Sequence, residues 1–112
     1  MSMQQLNEQV SVSGQLLVSD LPALKELGVE LLVCNRPDGE SSDQPPFDQI
    51  AAAARELGMS VENIPFAGSE MTEAHGLEFA TLLKSGKRTH AYCRSGARSG
   101  NLFALASQLT EG

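Results

Sequence analysis

Apolar positions change their period several times along the chain, and each change predicts a new element. Residues 10–14, VSVSG, alternate as a short extended start. After Ser19, a candidate cap, Leu21, Leu24 and Leu27 recur on one helical face, and Gly28 stands where a helix stops. VELLVC at 29–34 is an unbroken apolar run, as expected of a strand buried on both faces of a parallel sheet. Residues 35–46, NRPDGESSDQPP, read as a polar loop rich in turn formers. Pro46 suits the first turn of a helix over 46–58, in which Phe47, Ile50, Ala51, Ala54 and Leu57 form the buried stripe and Gly58 the stop.

SVENIPF at 60–66 alternates again, and Pro65 confines that strand to an end or an edge. A short loop, AGSEM, leads to Thr72, which can cap a helix carrying Gly76, Phe79, Ala80 and Leu83 on one face and ending at Gly86. RTHAYC at 88–93 is rich in strand formers and runs straight into RSGARSG. Leu102, Leu105, Ala106 and Leu109 then mark a last helix. Strands separated by helices require right-handed crossovers, so the pattern predicts an α/β fold. It is expected to be a single domain over residues 1–112, a mostly parallel central sheet flanked by helices. The sequence shows no internal repeat, linker or low-complexity segment.

Composition narrows what this fold can do. At 112 residues, 41% hydrophobic and 20% charged, the chain suits one globular domain. Aromatics are only 4% and Trp is absent, so aliphatic side chains and Ala must fill the core. Eight Lys and Arg against fourteen Asp and Glu give a formal charge of -6. Such a body repels nucleic acid and anionic lipid, and an anionic substrate must be drawn in by a local positive site. No apolar run is long enough to span a membrane, and the first nine residues lack the pattern of a signal peptide, so a cytoplasmic location is expected. His75 and His90 lie far apart and no CxxC or HxxxH spacing occurs, which disfavours a metal site. GxGxxG and Walker patterns are missing too, so no cofactor is expected.

One segment carries chemistry. HAYCRSGARSG joins the end of a strand to the start of a helix, a junction that lies on the carboxyl edge of a parallel sheet, where ligands bind. Ser95 and Gly96 let the backbone curl so that successive N–H groups, through Ala97, point inward, and the helix that follows adds its positive end. Arg94 and Arg98 flank the curl, Arg98 being better placed to grip an oxyanion with its fork. Cys93 is expected at the mouth of this cup. A cysteine has a free pKa of about 8.5, which a helix N-terminus and nearby cations can lower to roughly 3.5–7.5. The thiolate is then a nucleophile at neutral pH without a separate base. Hydroxyls of Ser95 and Ser99 are candidates to donate to it.

The stretch Cys93-Arg-Ser-Gly-Ala-Arg98-Ser99 resembles the active-site loop of rhodanese-type sulfurtransferases, and it is close to the loop of tyrosine and dual-specificity phosphatases. It departs from the phosphatase loop in two ways: Tyr92 stands where His usually precedes the cysteine, and the arginine is one residue nearer, leaving Ser99 in its usual place. Over nearly the whole chain, VSGQLLVSDLPALKELGVELLVCNRPDGE, PPFDQIAAAARELGM, IPFAGSEMTEAH and YCRSGARS follow in the order of the beta-lactamase-hydrolase-like, phosphatase-like domain family. That resemblance implies a fold of the protein-tyrosine/dual-specificity-phosphatase type, Cys93 as nucleophile and Arg98 as anion ligand. Some members of the family are described as sulfurtransferases serving sulfide oxidation, which implies a partner enzyme in that process.

Phosphate ester cleavage also needs a proton donor for the leaving oxygen. The loop between Phe66 and Thr72 has no Asp, and Glu70 is taken as the candidate acid; Glu73 and Asp38 suit helix-start and turn roles better. Cys34 ends a strand on the same edge as Cys93, either as a resolving thiol or as a small buried residue. His90 is expected to be a satisfied structural histidine and His75 a solvated one. Arg36 either adds a positive wall to the cup or pairs with a carboxylate. The leading expectation is a sulfurtransferase passing sulfane sulfur through a Cys93 persulfide, with thiosulfate or a small persulfide as donor, since sulfur transfer needs no such acid. The alternative is a phosphatase working through a phosphocysteine on a phosphate ester. Because the chain ends at Gly112, soon after its last helix, a non-catalytic anion- or partner-binding module is a third expectation.

Overall fold

The computed structural model describes residues 1–111. Five strands form the sheet: β1 (Met3–Gln5), β2 (Val10–Ser13), β3 (Leu31–Cys34), β4 (Ser60–Asn63) and β5 (Thr89–Tyr92). Four helices accompany them: α1 (Leu21–Glu26), α2 (Phe47–Glu56), α3 (Glu73–Leu83) and α4 (Ala97–Glu111). The strand order is β1-β2-β5-β3-β4, parallel throughout except for β1, which runs antiparallel to β2. β5 is thus inserted between β2 and β3, and the carboxyl ends of four parallel strands meet on one edge. The chain leaves that edge through four loops, after Ser13, Cys34, Asn63 and Tyr92.

β3 sends alternate residues to two separate cores, which is why it reads as an unbroken apolar run. Leu32 and Cys34 pack with Leu21, Leu24, Ile50, Ala54 and Tyr92 under α1 and α2. Leu31 and Val33 pack with Val10, Val12, Phe79, Ala91 and Leu102 under α3 and α4. The result is a three-layer α/β/α unit. Gly76 permits the close approach of α3 to α4: a Cβ there would lie 2.8 Å from Leu105.

Several local expectations shift. The helix after Ser19 begins instead after a 3-10 turn at Val18–Asp20, with Asp20 accepting the Leu17 N–H at 2.8 Å, and it ends at Glu26. Leu27 therefore falls past the helix end and is half exposed rather than part of the buried stripe. The strand over 60–66 stops at Asn63; as expected of the Pro65 segment, it is an edge. His75 is half-buried, not simply solvated: its Nδ1 accepts the Thr72 N–H at 2.9 Å and its ring stacks on Phe66 at 5.0 Å.

His90 is a satisfied core residue. It lies fully buried in β5 opposite Ser11, with Nδ1 2.7 Å from Ser11 Oγ and Nε2 2.8 Å from Ser13 Oγ. Ser13 Oγ already donates to the Gly14 carbonyl at 2.9 Å, so it accepts from Nε2–H, and Nδ1 accepts from Ser11. Burial lowers the pKa of this ring from 6.5 to about 4. The unfolded chain therefore takes up a proton below pH 6.5 while the folded chain refuses it until about pH 4, so stability falls as pH falls through that window. Urea unfolding at pH 7 and pH 5 should differ by about 2 kcal/mol from this residue, and His90→Gln should flatten the difference.

Candidate functional site

The cup is the curl of the loop 93–99, against which the other three carboxyl-edge loops pack. Its curl depends on glycine at two places. Gly96 has φ of 96°, a left-handed conformation that side chains rarely adopt, and this turns its N–H onto Cys93 Sγ at 3.1 Å. Gly14, on the loop after β2, supports the curl from behind: a Cβ there would sit 2.8 Å from the Arg94 carbonyl, which accepts the Gln15 N–H at 3.2 Å. The Gly14 contact is with backbone, so no rotamer change can relieve it. Gly14→Ala is expected to lower stability by about 1–3 kcal/mol and to raise the pH at which the Cys93 thiol ionises, as read by iodoacetamide alkylation.

Cys93 does not stand at the mouth of the cup: it has no exposed surface. Burial by itself would push the thiol up. It is outweighed by the polar groups turned toward the sulfur, those of Ser99 first and then the amides of Ser95 and Gly96, the last bonded to it at 3.1 Å, and the pKa falls below its ordinary value. The Ser95 hydroxyl has a different task from the one expected of it: it accepts the Ala97 N–H at 3.3 Å and so helps cap α4. Ser99 is fully buried, and its hydroxyl also reaches Asn35 Oδ1 at 2.8 Å.

Arg98 is clamped by a residue that sequence reasoning missed. Its Nη1 and Nη2 donate to the two carboxylate oxygens of Glu40, each at 2.8 Å, and Nη1 also donates to the Phe66 carbonyl at 3.0 Å. Three of the five guanidinium protons are thereby used, which leaves the Nε–H and one Nη2–H on a single edge. That remaining edge bonds to none of the described residues and is the one available to an oxyanion. Glu40 in turn accepts from Nε of the buried Arg36 at 3.0 Å, while Arg36 donates to Gln15 Oε1 and Ser41 Oγ. Arg36 is thus paired with a carboxylate rather than forming a positive wall. Arg98 and Arg36 together lower the Glu40 pKa to about 2.

The other candidates disperse. Arg94 is exposed and lines a groove beside the cup with Gln15, Leu17, Asp43 and Pro45. Glu70 is exposed on the loop that begins at Phe66; its N–H donates to the Ala67 carbonyl, and its carboxylate bonds to none of the described residues. Asp38 accepts the Phe47 N–H at 2.8 Å and so serves the start of α2. Cys34 is buried beside Tyr92, its thiol 3.3 Å from the Arg36 carbonyl; burial pushes it up, and it is therefore a poor thiolate. Among the described residues no group of three His, Cys, Asp or Glu is gathered as a metal site, and no helix is long and apolar enough to cross a membrane.

What this arrangement resembles is consistent across comparisons. A candidate phosphatase from Neisseria meningitidis superposes with a TM-score of 0.79 at 29% identity, over 88% of this chain and 71% of that one. A candidate phosphatase from Shewanella putrefaciens gives 0.82 at 24% identity, over 98% and 69%. P. aeruginosa TpbA, solved with phosphotyrosine bound, shares the fold at 0.73 and 15% identity, over 98% and 64%. The fold is therefore that of protein-tyrosine and dual-specificity-type phosphatases. In sequence, the beta-lactamase hydrolase-like protein of Agrobacterium fabrum is 32% identical over 93% of this chain, and that of Xylella fastidiosa (strain Temecula1) is 31% identical over 90%. The chain spans only 24% of the length of these relatives. The profile of the beta-lactamase hydrolase-like protein, phosphatase-like domain family matches residues 2–110, and the chain belongs to that family.

Proposed function

We propose that this protein is a cysteine-dependent hydrolase of phosphate monoesters, its residues 1–112 forming one catalytic domain. The observation that carries this reading is the placement, on one loop, of a buried Cys93 whose sulfur accepts the Gly96 N–H at 3.1 Å and of an Arg98 guanidinium held by two bonds to Glu40. The phosphatase folds of its structural neighbours support it. An entering phosphoryl group is gripped by the Arg98 Nε and Nη2 protons and by the amides of the curl from Ser95 to Ala97. Cys93 Sγ attacks phosphorus, the bond to the leaving oxygen breaks, and Glu70 supplies that oxygen with a proton. Water then attacks the phosphocysteine and gives its proton to Glu70, while the S–P bond breaks and returns the electron pair to sulfur. Donors aimed at sulfur and at the equatorial oxygens stabilise both steps without reorganisation.

One observation favours a second reading. The arginine lies one residue closer to the cysteine than in phosphatases, and the Glu70 carboxylate bonds to none of the described residues. A tighter cup without a fixed acid suits sulfane sulfur transfer, in which Cys93 takes the outer sulfur of thiosulfate and sulfite departs carrying the electron pair of the broken bond. Mass spectrometry of the intact protein separates the two. Turnover of p-nitrophenyl phosphate with a phosphoryl adduct trapped on Cys93 supports the hydrolase. One added sulfur from thiosulfate, with no phosphatase turnover, supports the transferase. Anion binding with neither adduct leaves a binding module.

A further inference from the structure

One histidine ring holds both ends of the loop that carries Glu70. At the start of that loop the buried Phe66 is tied down by its backbone. Its N–H donates to the Asn35 carbonyl at 3.2 Å, and its carbonyl accepts from Arg98 Nη1 at 3.0 Å. The ring of His75, in the first turn of α3, stacks on the Phe66 ring at 5.0 Å. At the other end, His75 Nδ1 accepts the Thr72 N–H at 2.9 Å, while the Thr72 hydroxyl accepts the His75 N–H at 3.4 Å. This is a capping box with histidine in the place usually taken by Glu or Gln. Between the two anchors the loop is tied to itself by the bond from the Glu70 N–H to the Ala67 carbonyl, at 2.9 Å. With its carboxylate unbonded, Glu70 is placed by the loop backbone alone, and the ring of His75 closes that loop.

We propose that His75 is a positioning residue: its neutral ring clasps the loop 66–72 and so places Glu70 as proton donor, and protonation of the ring releases the loop. Nδ1 is an acceptor only while it carries no proton. Once protonated it can turn only to the Thr72 hydroxyl, 3.2 Å away, and the Thr72 N–H is left without its acceptor. A positive ring in the first turn of α3 is also opposed by the helix dipole. The other charged groups about this turn are Glu73 and Glu78 on α3, Glu70 on the loop and Arg98 at the start of α4; none forms an ion pair with His75. One residue on from His75, α4 meets this helix through the apolar Leu105 and Leu109, packed at Gly76. The inference rests on the role proposed for Glu70, but the clasp itself is read from resonances and not from turnover, so the two can fail separately.

The test compares kcat/KM on phenyl phosphate, whose leaving oxygen needs a proton, with kcat/KM on p-nitrophenyl phosphate, whose leaving oxygen needs it least. The thiolate is common to both esters and cancels in the ratio. In the wild-type chain the phenyl-to-nitrophenyl ratio should fall about 10-fold between roughly pH 7.5 and 5.5, either side of the ordinary histidine value. Glu70 alone would move it the other way, since acid protonates the donor. His75→Ala has no acceptor and should show the low ratio at both pH values. His75→Gln restores a capping acceptor that does not titrate, so its ratio should stay high and flat. A His75→Ala ratio equal to that of the wild-type chain at the higher pH, or a His75→Gln ratio that falls with acid, overturns the proposal. The clasp is read separately by NMR: the Thr72 amide resonance should move with the His75 ring resonances in the wild-type chain and stay still in His75→Gln. A chain that turns over neither ester fails the hydrolase reading, whereas a Thr72 amide that ignores the titration of His75 overturns the clasp.

Discussion

Cys93→Ser should reduce turnover of p-nitrophenyl phosphate on the order of 10^4-fold or more while leaving the folded state and anion binding in place. The replacement keeps the shape of the side chain, so the cup still closes around it. What it removes is the ionised form. The Ser95, Gly96 and Ser99 amides that stabilise a thiolate leave a serine hydroxyl neutral, since its proton is held far more tightly. The matching pH profile follows from the same contacts. The thiolate is the reactive form and its pKa lies below that of a free thiol, so the activity of the wild-type chain should reach its plateau at a lower pH than an ordinary cysteine would allow. Retained sulfate binding in Cys93→Ser, measured as a thermal shift, separates a lost nucleophile from a lost fold. Turnover surviving the substitution would remove Cys93 from the reaction.

The difference between what could and could not be read beforehand is physical. Cys93, Gly96 and Arg98 lie within six residues of one another at a strand-to-helix junction, so local backbone geometry alone brings them together. Glu40 reaches Arg98 from 58 residues away, and it sits in a polar loop beside Asp38 and Asp43, where nothing in the order of residues distinguishes one carboxylate from the next. Its only local sign was Arg36 four positions before it, a spacing that carries weight on helices and not in loops. Asn35 was hidden in the same way, since its backbone partners lie in two other segments, at Tyr92 and at Ile64 and Phe66. β3 was legible because both its faces are apolar, and β2 because it alternates. β1, MQQ, has no such pattern; it is a strand only because β2 offers it an edge. Ser95 could be placed at the loop but not given its task, because an amide and a hydroxyl on one residue can serve the sulfur and the helix in either combination.

The second large effect is expected at Arg98. Arg98→Lys keeps the charge but has no fork: one ammonium cannot satisfy both Glu40 oxygens and the Phe66 carbonyl and still present a planar edge to an oxyanion. A fall in kcat of about 10²–10³-fold is expected, the magnitude found when a preorganised donor to a developing charge is lost. Glu40→Gln separates charge from placement. It leaves Arg98 intact and removes the charged clamp that orients it, so the free edge is no longer held over the sulfur. Roughly 10- to 100-fold should be lost, as for a misplaced catalytic group. The pH dependence has a definite sign. Glu40 is ionised down to about pH 2 when folded, against 4.5 for the ordinary group. The stability it contributes is therefore present above pH 4.5 and lost as pH falls from there towards 2. Acid unfolding of Glu40→Gln should lack that component, while the loss seen between pH 6.5 and 4 from His90 persists. An Arg98→Lys chain with unchanged kcat, or a Glu40→Gln chain with full activity, would mean that the guanidinium edge beside Cys93 has no part in binding the transferred group.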